Sequence, residues 1–520
     1  MELLIIFIPL LPALAALCIG LGQISGLLYG VRTQAITFHL ACSSIYLTTF
    51  LSLLFLWKGV NGQQAGEIHV ATWLASGTFT VDVSFYTGGF NILLSSLFSL
   101  LFVVIFRFSR NYLHSEPGFH RFFLLLSLFA SAMYLLLLSA NVLGTFFGWE
   151  LAGLCSFLLI AFAWHRENAS RNAYKVFIVN RVGDAFFILG AILCFSWLGT
   201  INWTEINASI NLLSPGQASL IAFCFVLAAM VKSAQFPFTW WLNRSMEGPT
   251  PSSAVFYGAV MVHAGVFLLI LLAPVLEQLP LISALLVLVG LVTFAYSILS
   301  TQTQVDVKSS LGLATTAQLG LMFVSCGFGF WQFALVHLCA HSIVRSYLYL
   351  TAPSILHNVH GNPVQPATLQ HPLLRRLSLA SLHNFWLEES MQQGVSQPCL
   401  NLAKDFSNID DNLVDPVMGF PTSIVHSSAN FAFREEQKIG ARLDTGENIF
   451  SSGSGLAGKL TAWTAALSGW FEHHFVLKGV EKNLPEAGRR LGYIANHLEQ
   501  ILLQPRYLLA FILITLMFTF

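Results

Sequence analysis

Apolar runs of about 18 to 25 residues recur down the chain, joined by short polar links. The first is "LLIIFIPLLPALAALCIGLG" and the last of the series is "WQFALVHLCAHSIVRSYLYLTA" at residues 331–352. A helix of roughly 20 such residues crosses a ~30 Å hydrocarbon core with its backbone polar groups satisfied internally. The pattern predicts eleven spans, near residues 3–22, 34–57, 88–106, 121–139, 141–164, 174–198, 217–241, 252–275, 280–299, 309–329 and 331–352. The first run opens with Glu2 and lacks a basic n-region, so it reads as a span and not as a cleaved signal peptide.

The texture changes near residue 358, which sets a three-part expectation: a transmembrane bundle over 1–357, a polar and amphipathic region over 358–504, and a short apolar helix over 505–520. The middle region opens with the Pro- and His-rich "HNVHGNPVQPATLQHPLLRR" and contains the loop "SSGSGLAG". Two later pieces, "GLAGKLTAWTAALSGWFEHHFVLKGVEKNL" and "EAGRRLGYIANHLEQILLQ", carry apolar and charged faces at helical spacing, as helices lying on a membrane or a partner do. The expected fold is therefore all-α: a polytopic membrane helix bundle followed by a mainly helical polar segment.

Composition sharpens this picture. Of 520 residues, 55% are hydrophobic and 10% charged, where a soluble domain carries about 25% charged residues. Formal net charge is zero, so no basic surface recruits nucleic acid and the lipid bilayer is the first partner. The eight cysteines are scattered singly with no CxxC spacing, which argues against an iron–sulfur or zinc site. No flavin or nicotinamide fingerprint is present, so no cofactor is expected. Basic residues gather in "RFSRNYLHSEPGFHR" and in "HRENASRNAYK", both candidates for the cytoplasmic side. The span count places these two loops on opposite faces and leaves the orientation open.

The chemistry lies in the ionisable residues inside the spans. A charge at the bilayer centre costs at least ~2.5 to 3.5 kcal/mol, so such residues line polar interiors and mark ion paths. Glu150 sits in "GTFFGWELAGLCSFLLIAF", and Arg181 with Asp184 stand at i and i+3 in "NRVGDAFFILG", where they can pair. Lys232 sits in "AAMVKSAQFPF", five residues before Pro237, whose ring removes a backbone bond and frees carbonyls. His337, His341 and Arg345 form one stripe in "ALVHLCAHSIVRSYLYL", and Lys308 stands just ahead of "SSLGLATTAQLGLMF". Each site taken singly could be a static tie, and paired histidines also suit zinc. However, no third ligand stands nearby and Arg345 continues the stripe. Together, a carboxylate, a lysine and histidines spread over several spans are what a proton relay needs.

These segments, with "VKSAQFPFTWWLNRSMEGPTPSSA" and "QVDVKSSLGLATTAQLGLMF", follow one another over about 210 residues in the order of a known family. The chain resembles the antiporter-like proton-pumping membrane subunits of respiratory complex I, most of all the L-type subunit. That family also includes cation/proton antiporters and the membrane subunit of an inorganic-carbon uptake system. The resemblance implies inverted repeats with broken helices and a break at Pro237. It makes Lys232 the central protonatable group, Glu150 its switchable ion-pair partner, and Arg181 with Asp184 the pair that modulates it. Lys308, His337 and His341 would carry the proton onward.

Three departures from the family pattern stand out. Where the family has a histidine in the segment after the break, this chain reads "SAVFYGAVMVHAG", which offers Tyr257 and His263 as possible relays. A phenol relays by hydrogen bonding but does not hold a proton as imidazole does. Arg345 replaces a lysine and does not readily deprotonate. The second repeat is expected to be cut short, so that another subunit completes the path. The resulting expectation is a proton-translocating subunit of a complex I-type NADH-quinone oxidoreductase-like assembly, multi-pass in a bacterial inner membrane, with other membrane subunits and a soluble redox arm as partners. The alternatives are the proton-conducting half of an inorganic-carbon uptake complex with a carbonic-anhydrase-like zinc protein, or a non-conducting structural subunit. In each case any catalysis belongs to the complex.

Overall fold

The structure is a computed structural model that describes residues 2–62, 66–76, 79–304, 306–352, 372–398 and 406. The expected amphipathic helices within 358–504 and the apolar helix at 505–520 lie outside the described residues, apart from the short helices over 372–398. Described residues up to Met391 belong to one compact unit, while those from Gln392 to Gln504 belong to another.

The first unit is a helix bundle with eleven helical segments long and apolar enough to cross a membrane, among the described residues. In chain order it contains α1 (Phe7–Ile24), α2 (Gln34–Val60), β1 (Glu67–Ser76), β2 (Phe79–Tyr86), α3 (Gly89–Tyr112), α4 (Phe119–Leu138), α5 (Val142–Ile160), α6 (Glu167–Leu198), α7 (Trp203–Ser209) and α8 (Pro215–Lys232). There follow α9 (Trp241–Arg244), α10 (Thr250–Ser253), α11 (Ala264–Leu271), α12 (Ala273–Leu276), α13 (Pro280–Thr301), α14 (Val307–Gly327) and α15 (Trp331–Thr351). Helix α4 is buried along nearly its whole length and packs against α1, α2, α3 and α5. Around it α5 packs on α6, α6 on α8, and α8 on α11.

Several starts follow from the sequence. Ser214 and Gln217 form a reciprocal capping box ahead of α8, with Pro215 at its first position. Asn141 accepts from Gly144 N at the start of α5, and Asp306 from Ser309 N at the start of α14.

Two spans differ from the expected ones. The apolar run over 217–241 predicts one helix, yet α8 stops at Lys232 and the chain stays non-helical through residue 240. Pro237 offers no N–H and disfavours helix in the residue before it, and Gln235 N turns back to Met230 O at 2.8 Å. The run over 252–275 is likewise interrupted. After α10 come a π-helical turn (Ala254–Ala259) and a 3₁₀ turn (Met261–His263), and only then α11.

The antiparallel hairpin β1–β2 has no counterpart in the sequence-based expectation. It lies on the face that carries the α4–α5 and α6–α7 links: Ala140 N bonds Ser84 O at 3.0 Å, Val142 N bonds Ile201 O at 2.8 Å, and Asn202 Nδ2 reaches Glu67 Oε1 at 2.7 Å.

The opposite face corrects the loop count. Helices α4 and α5 lie between the two basic loops, so both loops emerge at the same end. Arg121 Nη2 accordingly donates to Phe162 O at 2.5 Å, and Arg166 stands 3.6 Å from Glu247. The helix Pro372–Leu382 and the turn after it lie against α13 at this end, with Ser381 Oγ donating to Leu299 O at 2.7 Å. There Glu388 pairs with both Lys175, at 3.2 Å, and Arg244, at 2.7 Å.

Candidate functional site

Helices α5 and α6 bring their charged residues together halfway along their length. Arg181 Nη1 stands 2.5 Å from Glu150 Oε2, and its Nη2 stands 2.8 Å from Asp184 Oδ2. One guanidinium thus serves two carboxylates, one from each of its terminal nitrogens. Its plane also lies over the Phe177 ring at 4.5 Å. Asp184 is 3% exposed, and its other oxygen accepts the indole N–H of Trp149 at 2.7 Å.

Lys232 is 1% exposed and closes α8 beside this group. Its Nζ donates to Trp149 O at 3.0 Å and lies 4.9 Å from the centre of the Trp149 ring. A Cβ built on Gly153 would stand 3.4 Å from Arg181 Nη2 and 3.5 Å from Lys232 Nζ, which puts both cations level with the middle of α5. The expected direct pairing of Lys232 with Glu150 is not the arrangement found. Among the described residues no carboxylate lies within 4.0 Å of Lys232, and Glu150 is held by Arg181. Trp149 links the two halves instead, through its carbonyl to the lysine and its indole to Asp184.

A second constellation begins at the break. Ser233 Oγ donates to Val262 O at 2.7 Å, and the next residue, His263, places Nε2 2.9 Å from His341 Nδ1. Arg345 Nε donates to His341 Nε2 at 3.3 Å. With that nitrogen accepting, the His341 proton sits on Nδ1 and is donated to His263. One turn earlier on α15, His337 Nε2 donates to Gln318 Oε1 at 3.0 Å.

Tyr257 and His263, equivalent candidates in the sequence, separate here. The Tyr257 hydroxyl donates to Ser245 O at 2.8 Å, whereas His263 meets His341. Lys308 joins neither group: its Nζ donates to Thr250 Oγ1 at 2.8 Å, which in turn donates to Tyr112 Oη at 3.0 Å. Pro237 lies within the non-helical stretch that follows α8.

Sequence reasoning passed over Trp149, Ser233, Thr250 and Gln318. The signal for Trp149 was its place directly before Glu150. For the hydroxyls there was none, since Ser and Thr inside spans are common helix-packing residues. Among the described residues no three His, Cys, Asp or Glu side chains converge as a metal site requires.

Comparison with known proteins adds a family to this geometry. Residues 139–375 match the family described as NADH:quinone oxidoreductase/Mrp antiporter, transmembrane. Residues 73–123 match that of the NADH-ubiquinone oxidoreductase (complex I) chain 5 N-terminus. The NADH-quinone oxidoreductase subunit L of Rickettsia felis is 33% identical over 407 residues, covering 74% of this chain and 63% of that protein. NAD(P)H-quinone oxidoreductase subunit 5, organellar chromatophore 1, of Paulinella chromatophora is 34% identical over 356 residues, 67% of this chain and 53% of its own length. The chain therefore spans about half the length of the curated relatives it matches.

Among solved structures, a chain of the Mrp complex from Dietzia sp. DQ12-45-1b superposes with a TM-score of 0.60 at 22% identity, over 74% of this chain and 43% of that one. A chain of the membrane-bound sulfane sulfur reductase, an archaeal respiratory membrane complex, gives 0.60 at 15% identity over 91% and 95%. These two likenesses are of fold. The quoted motifs, the two matched segments and the relatives of the L and 5 type agree: the chain belongs to the antiporter-like membrane-subunit family of NADH:quinone oxidoreductases and Mrp antiporters.

Proposed function

We propose that this chain translocates protons as an antiporter-like membrane subunit of a complex I-type assembly, with Lys232 as the central carrier. The observation that carries the proposal is a lysine 1% exposed, level with the middle of α5, at the point where its own helix ends. A buried ammonium held by one carbonyl and one aromatic face, with its carboxylate neighbours engaged elsewhere, is a group that can be charged or neutral according to how Arg181 is shared. Glu150, Arg181 and Asp184 set that balance. The break at Ser233 and Pro237 passes the proton toward His263, His341 and His337, and Lys308 sits at the mouth with Thr250. Tyr257 and Arg345 position neighbours in this reading and do not carry the proton. Relatives named as subunits of quinone oxidoreductases support other membrane subunits and a redox arm as partners.

Charge sorting supports an orientation. The end carrying the α1–α2, α3–α4 and α5–α6 links holds Arg32, Arg107, Arg110, Arg121, Arg166, Arg171, Lys175 and Arg244. Among the described residues the end carrying the hairpin holds Lys58 as its one lysine or arginine, whereas acids stand at both ends, Glu67, Asp82, Glu205 and Glu277 at this one and Glu167, Glu247 and Glu388 at the other. The positive-inside rule makes the first end cytoplasmic. A membrane-impermeant thiol reagent on intact cells should then label a cysteine placed at Glu205 and spare one placed at Glu116.

The decisive experiment is Lys232→Ala in the native membrane. Loss of respiration-driven proton uptake by inverted vesicles is expected while the chain stays abundant and assembled. Full uptake with a normally inserted variant would remove the carrier assignment.

A further inference from the structure

Where α2 and α3 meet at the basic end of the bundle, a groove of about 970 Å³ opens between Ala35, Phe38, Cys42 and Tyr46 on one wall and Arg107, Arg110 and Asn111 on the other. Its lower part is apolar and continues past Tyr46 onto Val104, 54% exposed, while Ile36, 58% exposed, stands beside the arginines in the first turn of α2. Its upper part is cationic. Arg107 and Arg110 lie at i and i+3, one face of α3. Among the described residues neither has a carboxylate within 4.0 Å. Arg110 rests on the Phe38 ring at 4.7 Å.

Most other arginines of the bundle's transmembrane part are answered from within. Arg121 finds the Phe162 carbonyl, Arg166 finds Glu247, Arg181 finds two carboxylates, Arg244 finds Glu388 and Arg345 finds His341. A pair of guanidiniums at the head of an apolar groove, at the depth where a helix leaves the hydrocarbon, is complementary to one kind of molecule. It must have an anion at one end and a hydrocarbon chain at the other.

We propose that this groove is a binding site for an anionic phospholipid. Its phosphodiester would be held by Arg107 and Arg110 and one acyl chain would lie along Ile36, Phe38 and Tyr46. Planar guanidiniums donate paired N–H bonds to phosphate oxygens in a bidentate manner, and basic pockets between membrane helices on this side suit acidic headgroups. A zwitterionic lipid presents the same phosphate but brings its own cation against the arginines, so the site discriminates against it. Each arginine contributes a preference of about 5.4-fold, which makes about thirtyfold for the two together.

The test uses the full chain in nanodiscs with a photoreactive phosphatidylglycerol as probe, followed by mapping of the crosslinked peptides. The expected result is crosslinking to the α2 segment around residues 35–46, outcompeted by unlabelled phosphatidylglycerol about thirtyfold better than by phosphatidylcholine. It should be lost in R107Q/R110Q. A second variant, Ile36→Trp, fills the apolar wall and keeps both charges, and it too should abolish the crosslink. Equal competition by the two lipids, or crosslinking retained in both variants, overturns the proposal. Competition by inorganic phosphate at the same strength also overturns it, because it would make the site one for the free anion. Protection of the segment by a co-purified subunit, with no lipid density of label, would assign the groove to a protein partner and equally refute it.

Discussion

Arg181 is shared between Glu150 and Asp184, at 2.5 Å and 2.8 Å, and that sharing makes a quantitative prediction for a double-mutant cycle. Removing one carboxylate as Glu150→Gln or Asp184→Asn leaves the guanidinium paired with the other. Neither single change strands a charge, so each should cost only about 1 kcal/mol. Removing both strands the guanidinium, and breaking a buried pair costs about 3 to 5 kcal/mol. The double variant should thus lose about 4 kcal/mol, which leaves a coupling of about 2 kcal/mol beyond the sum of the singles. Equilibrium unfolding in mixed micelles, followed by tryptophan fluorescence, reads the four corners of the cycle. Additivity within about 0.5 kcal/mol would refute the reasoning, since it would mean the two carboxylates do not answer one cation.

Other consequences are as direct. A side chain at Gly265 would collide with Ser233 Oγ and Ala229 O, so Gly265→Ala should lower stability by about 1 to 3 kcal/mol and abolish the activity that Lys232 supports; a thermal midpoint unchanged from the parent would refute this. Glu388→Gln unties the turn Leu387–Met391, which follows the helix Pro372–Leu382, from Lys175 and Arg244, so trypsin should cut at Arg375 and Arg376 several-fold faster in proteoliposomes. In the hairpin, the Thr72 hydroxyl bond to Asp82 holds that carboxyl below its ordinary 3.8, with His69 adding to the effect. A lowered value stabilises the folded hairpin above pH 3.8 and loses that stability as the pH falls through the bound value. Amide exchange over residues 67–86 should accelerate on that acid side, and Thr72→Val should move the acceleration to higher pH.

The bundle itself was legible in the sequence because apolar length determines spanning helices so strongly; the ends of α4, α13, α14 and α15 fall within two residues of the expected spans. The hairpin was not, although "VDVSFY" alternates as a strand does, because a short alternating stretch between two apolar runs is overshadowed by them. Arg181 with Asp184 followed from i, i+3 spacing. The partner of Glu150 did not, because two cations compete for it and only three-dimensional reach decides between them. Likewise the stop of α8 at Lys232 depends on main-chain turns at Gln235 that hydropathy does not register. The split between Tyr257 and His263 depends on the π-helical turn, which rotates the two side chains apart.

The hairpin has a mechanical meaning for the proposed relay. Asn141 Nδ2 binds Asp82 O at 2.5 Å and Ala140 N binds Ser84 O, while the same short link receives Trp203 N from beyond α6. Helices α5 and α6 are thereby stapled to one another and to β2 at one end. They form a rigid stator that presents Glu150, Arg181 and Asp184 at fixed spacing. The adjacent spans, interrupted after Lys232 and again at Ala254, are the compliant members. In the proposed relay, a stroke that loads and unloads Lys232 is then a displacement of the broken spans against a stationary pair of carboxylates.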